Sequence, residues 1–147
     1  MIPFAGGSTP DRFRRIAIVC GAQALGLLIL NGVLTVLYVS GNLPAAPLSS
    51  RISLTLFAIG ILLLVAAPGA QGAIFKRLGA EGFSDSGAWI TAYSTATLVA
   101  FALREAAGLI GFVLAVITGS PWWSCGLGGA ALLAMALARP RREHLGV

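Results

Sequence analysis

Four long apolar runs divide the chain, at 16–39, 52–75, 88–118 and 122–138, and charged or turn-forming residues bound each of them. A helix needs about 20 predominantly apolar residues to cross the hydrocarbon core of a bilayer. The pattern therefore predicts an all-α, integral membrane four-helix bundle in a single domain. Residues 1–15 read as a short flexible tail that ends in a basic anchor, Arg12, Arg14 and Arg15. The stretch 40–51, with Gly41-Asn42, Pro44 and Pro47, is a turn-rich loop, and 79–87, with Glu81 and Asp85, is a polar connection. Pro68-Gly69 predicts a kink near one end of the second helix. Gly119-Ser120-Pro121 makes a tight turn, after which Trp122 and Trp123 stand where an aromatic belt is expected. The first run exceeds the usual apolar region of a signal peptide, about 7–15 residues, and reads as a retained helix. Cleavage near Leu43-Pro44-Ala45-Ala46 is the alternative.

Composition narrows the class. The 147 residues are 57% hydrophobic and 10% charged, whereas soluble chains carry about 25% charged residues. The net charge of +5 would suit nucleic acid if it formed a soluble basic face, but the cations cluster at the ends of apolar runs. No nucleic acid partner is expected. Arg12, Arg14, Arg15, Lys76, Arg77, Arg139, Arg141 and Arg142 fall on one side of a four-span topology, against Arg51 alone on the other. This bias puts both termini and the middle loop in the cytoplasm. Arg used almost to the exclusion of Lys, with abundant Ala and Gly, suggests a GC-rich bacterial genome and hence an inner membrane. The sequence shows no duplication of the first hairpin in the second, so the inverted-repeat signature of many transporters is absent or has decayed beyond recognition.

The chemistry is sparse. Cys20 and Cys125 lie far apart in apolar runs and His144 is in the tail, so neither a metal site nor a cofactor is expected. Both cysteines read as small buried hydrophobes. Catalysis is not expected either, because no nucleophile has a base at hand and Glu105 has no second carboxylate nearby. What stands out is Arg104-Glu105 within the third run. An ionisable group at bilayer depth costs about 2.5–3.5 kcal/mol and is a site hypothesis by default. The apolar residues from Leu98 to Ile117 return about 5 kcal/mol on the same kind of scale, so this helix needs its neighbours. By helical rise, Glu105 lies about 10 Å inside the cytoplasmic edge, and Gln23 and Gln71 fall near that level. The four side chains Arg104, Glu105, Gln23 and Gln71 are expected to meet, as a polar lock fixing helix register, a proton- or ion-handling site, or a headgroup pocket. Small residues recur every fourth position along Ala92, Ala96, Ala100 and Gly108, and along Gly126, Ala130 and Ala134. Such ridges let helix backbones approach closely, which predicts a tight hairpin of helices three and four along Ala96, Ala100, Gly108, Gly126, Ala130 and Ala134.

The stretch from Ala102 through Arg104-Glu105-Ala106-Ala107-Gly108 to Leu114 resembles the ion-carrying helix of the c subunit, or proteolipid, of rotary ATP synthases. The resemblance aligns Glu105 with the ion-binding carboxylate and Gly111 with the glycine that follows it, and implies proton or ion translocation. It covers under a tenth of the chain. Two features depart from that family: Gly21, Gly26 and Gly32 are too sparse for its glycine-rich partner helix, and Arg104 places a cation beside the carboxylate. The chain also resembles small four-span bacterial membrane proteins with a basic Pro-Arg tail, here Arg139-Pro140-Arg141-Arg142. With so little outside the apolar runs, the chain is expected to work by contact. It reads as an accessory or scaffold subunit in membrane lipid, as a homo-oligomer or part of a larger membrane complex. A proteolipid-like carrier with Glu105 as the carrying group is the alternative.

Overall fold

In a computed structural model, residues 9–42, 49–79 and 86–138 are described. The elements are α1 (Thr9–Val39), α2 (Ser50–Gly79), α3 (Ser86–Thr118), a π-helical turn (Ser124–Gly128) and α4 (Gly129–Leu137), which continues directly from that turn. No strand occurs among the described residues. Three segments are long and apolar enough to cross a membrane: Arg14–Val39, Ser50–Leu78 and Ala88–Thr118. The fourth, Ser124–Leu137, is shorter. With Trp122 and Trp123 helical as well, it reaches about 24 Å at 1.5 Å per residue.

The helices reach one or two residues into the expected connections at Ser50, Gly79 and Ser86, and the largest difference is at the start of α1. Residues 9–15 form the opening turns of α1 instead of a flexible tail. Pro10 is tolerated there because first-turn N–H groups have no partner within the helix, and Asp11 complements the positive helix end. The other end of α1 closes with a Schellman motif. Gly41 adopts φ +72°, its N–H donates to the Tyr38 carbonyl at 3.1 Å, and the Asn42 N–H donates to the Leu37 carbonyl at 3.0 Å. Gly119, at φ +66°, turns the chain out of α3 in the expected place. α2 runs through Pro68, whose exposed position lets the chain dispense with one N–H.

α3 is the hub. It packs against α1, α2, the π turn and α4, and 44% of its apolar window is buried against 17% for each of the first two helices. Successive helices are antiparallel. Phe57 of α2 meets Trp123 edge-on at 5.3 Å, while Phe75, at the other end of α2, meets Trp89 of α3 at 6.0 Å. Ile16 and Ala138 belong to one apolar cluster with Cys20, Leu27, Phe101, Ala131 and Met135, so α1 begins where α4 ends. Leucines fill hollows left by glycines at the crossings. A Cβ on Gly108 would lie 2.9 Å from Leu27 Cδ1, and one on Gly60 would lie 2.8 Å from Leu127 Cδ1.

Candidate functional site

Arg104 sits on the buried side of α3 at 4% exposure, among Ala96, Ala100 and Gly108, all buried. Its guanidinium carbon stands 5.6 Å from the centroid of the Phe101 ring, a cation–π contact with the residue one turn back. Nε and Nη1 are buried and donate to nothing. The neighbour Glu105 is half-buried, and no ion pair joins the two among the described residues. Consecutive residues of a helix project about 100° apart, so sequence adjacency puts the carboxylate on a different face from the guanidinium.

Among the described residues, no hydrogen bond or ion pair joins the four residues of the expected cluster. Gln23, on α1, is half-buried and its Oε1 has no hydrogen-bond partner, as is also true of Thr97 Oγ1 on α3. Gln71 lies in a separate cleft of about 450 Å³ between α2 and α3, lined by Pro68, Phe75, Trp89, Tyr93 and Ala96. Ala96 is eight positions from Arg104, about 12 Å along the helix axis. The equal-depth count matched levels from different helix ends and could not register how the helices slide past one another.

The small-residue ridge is half displaced. On α3, Ala96 and Ala100 are 1% and 0% exposed, and Gly108 is buried at the crossing of three helices. On the fourth segment, Gly126 and Ala130 are exposed and Ala134 is half-buried; Leu127, Ala131 and Met135 face the bundle instead. The physical reason is that the hollows are on α3. A Cβ on Gly111 would lie 2.7 Å from Leu127 Cβ and 2.8 Å from the Trp123 carbonyl oxygen. Small residues on α3 therefore receive larger ones from the π turn and α4. Cys125 shares the outward position, whereas Cys20 is buried as expected. Trp122 is 80% exposed, but Trp123 packs against Phe57, so one of the two tryptophans faces outward.

The polar contact that does lock helices together involves residues outside the expected cluster. Ser124 Oγ, 1% exposed in the π turn, donates a hydrogen bond to Asn31 Oδ1 of α1. Asn31 Nδ2 donates in turn to the Leu27 carbonyl at 2.9 Å. Gly128 lets the amide approach: a Cβ there would lie 2.9 Å from both Asn31 Nδ2 and Oδ1. Asn31 is one of two amides, with Gln23, in a long apolar run, and the glycines after Ser124 were a legible sign of close approach. Nothing local paired them. Among the described residues, no group of three His, Cys, Asp or Glu side chains is placed to hold a metal ion. Compared with known protein families, with curated proteins and with solved structures, the chain matches none of them.

Proposed function

We propose that the chain is a small multi-pass protein of the bacterial inner membrane, four helices with both termini cytoplasmic, acting as an accessory or scaffold subunit through its helix faces. The observation that carries this reading is the outward-facing small-residue surface of the fourth segment. Gly126 and Gly129 are exposed and a Cβ at either would meet nothing within 4 Å, and Ala130 lies on the same exposed side. In lipid, where apolar surface alone gives no reason to associate, surfaces of this kind let helices pack through close backbone approach. The interior does not need it, since Leu127, Ala131 and Met135 already fill the bundle side. The partner is a second copy or another membrane subunit.

The native thiol of Cys125 is exposed beside Gly126 and provides the test. Bismaleimide treatment of membranes should yield a Cys125-dependent adduct, with a second copy or with a co-purifying subunit. Ala130→Leu should abolish it while leaving the helical content unchanged. A monodisperse monomer in mild detergent with no adduct would remove the reading. The carrier alternative is favoured by one observation, the half-buried Glu105 that is not tied to Arg104. It requires that Glu105→Gln abolish proton or ion flux into vesicles with the fold intact.

A further inference from the structure

Among the described residues, the buried side-chain polar atoms that lack a hydrogen-bond partner gather at one seam. They are Nε and Nη1 of Arg104, Oγ1 of Thr97 and Oε1 of Gln23. Arg104 and Thr97 are 4% and 1% exposed, and, two turns apart on α3, they share one face. Between them on that face stands Ala100, 0% exposed, which adds only a methyl group. The guanidinium carbon lies over Phe101, so the Arg104 side chain runs back along α3 toward Thr97. Phe101 and Thr97 are about 6 Å apart along the axis. The third group comes from α1. Leu27 meets the backbone at Gly108, and Cys20 shares the apolar cluster with Phe101. Both pairs keep one offset between two parallel helices, and the same offset sets Gln23 opposite Arg104.

The hydroxyls of Thr35, Thr55, Ser94, Thr95 and Thr118 donate to carbonyls of their own helices, the usual recourse of a helical hydroxyl. The Thr97 hydroxyl does not, and keeps its donor for something else. Charge selects what that is. Water could fill the open hydrogen bonds of Arg104 but could not neutralise it, and a buried cation without a counter-charge is strongly unfavourable. The described carboxylates do not supply one. Glu105 projects from another face of α3 and forms no ion pair with Arg104. Asp11, in the first turn of α1, is about 18 Å from Gln23 along the axis. At 4% exposure, Arg104 is also closed to a carboxylate from another chain.

We infer that the seam between α1 and α3 binds one small monovalent anion of the halide class, held by Arg104 together with the Thr97 hydroxyl and the Gln23 amide. Arg104 supplies the charge and an open N–H donor, which makes a charge-assisted hydrogen bond. Thr97 donates through its hydroxyl. Turning the Gln23 amide over about its last bond brings Nε2 to the place of Oε1, so this side chain donates as well. One negative charge matches the single charge of Arg104, whereas a divalent ion would leave a buried excess. The inference is independent of the scaffold role.

The test uses the full chain in an uncharged detergent, with chloride as the probe and gluconate holding the ionic strength constant. Chlorine NMR line broadening reads the bound ion, and matched circular dichroism spectra establish that each variant is folded. The wild-type chain should broaden the chloride line saturably, and bromide should displace the effect. R104Q should abolish it and R104K should restore part of it. Thr97→Val and Gln23→Leu change no charge and keep the test open if R104Q fails to fold; Thr97→Val should weaken binding about ten-fold, the effect of losing one hydrogen bond to a charged group. R51Q, and K76Q with R77Q, remove exposed cations and should leave binding unchanged. Absence of saturable broadening with the wild-type chain would overturn the inference. So would a site that survives R104Q, or one indifferent to both Thr97→Val and Gln23→Leu. Loss of binding in R51Q or in K76Q with R77Q would place the ion on the surface and overturn it equally.

Discussion

Ser124 Oγ and Asn31 Oδ1 share the hydrogen bond that ties the π turn to α1, between residues 93 positions apart in the chain. The hydroxyls of Thr35, Thr55, Ser94, Thr95 and Thr118, by contrast, each bond back to their own helix. Interhelical bonds of this type in membrane proteins average about 0.6 kcal/mol, with a maximum near 1.7. Ser124→Ala should therefore cost about 1 kcal/mol in an unfolding titration. Thr35→Ala, whose hydroxyl donates to the Asn31 carbonyl within α1 at 2.8 Å, should cost markedly less.

Glycine substitutions should separate filled from open positions. Gly111→Ala drives a Cβ into the Trp123 carbonyl and the Gly128 nitrogen, neither of which is a side chain that can rotate away. Overpacking of this kind costs about 1–3 kcal/mol. Gly60→Ala meets only the tip of Leu127 and should cost less. Gly126→Ala meets nothing and should be neutral or stabilising, since Ala exceeds Gly in helix propensity by about 1 kcal/mol. Thermal inactivation or denaturant midpoints of the three variants give the order.

Bulk on the fourth segment should act according to face. Ala131 is 0% exposed, so Ala131→Leu should break crosslinks between engineered cysteines on α3 and α4. Ala130→Leu should leave those crosslinks intact and affect association between chains alone. The reverse result would return the small-residue ridge to the interior.

Arg104 and Glu105 should behave independently. Without an ion pair, a double-mutant cycle of Arg104→Gln and Glu105→Gln should give a coupling below about 0.5 kcal/mol, the limit for non-interacting sites. A buried pair would lose about 3–5 kcal/mol when either member is removed. A large coupling in the cycle would restore the polar lock to these two residues.

Topology is open to labelling. In a background with Cys20 and Cys125 replaced by Ala, cysteines at positions 8 and 84 should resist an impermeant maleimide added outside the cell. One at position 49 should react. Labelling of position 8 from outside would end the four-span arrangement.

The helical segments were legible because apolar runs of membrane length can hardly be anything but helices. The runs 52–75 and 88–118 lie within α2 and α3, while the 16–39 run understated α1 by the largely polar turns from Thr9 onward. The inward face of α3 was also legible, since Ala96, Ala100 and Gly108 share it with Arg104. The face of the fourth segment was not. Gly126, Ala130, Ala134 and Leu127, Ala131, Met135 are both spaced by fours, and the choice between them depends on the hollows at Gly60, Gly108 and Gly111, which only the assembled partners define. Adjacency misled at Arg104-Glu105 for a simpler reason: neighbours along a helix do not face one another. The partner of Asn31 was invisible because no periodicity connects residues 93 positions apart.

That separation also sets an order of assembly. Asn31 emerges during synthesis long before Ser124 exists, so the first helix must persist for a time without its later partner. The Asn31 amide manages this interval by donating to the Leu27 carbonyl of its own helix, which leaves Oδ1 waiting for a donor. The fourth segment is the last to be made. It closes the bundle by bringing one hydroxyl to that oxygen and one leucine to the hollows of α2 and α3.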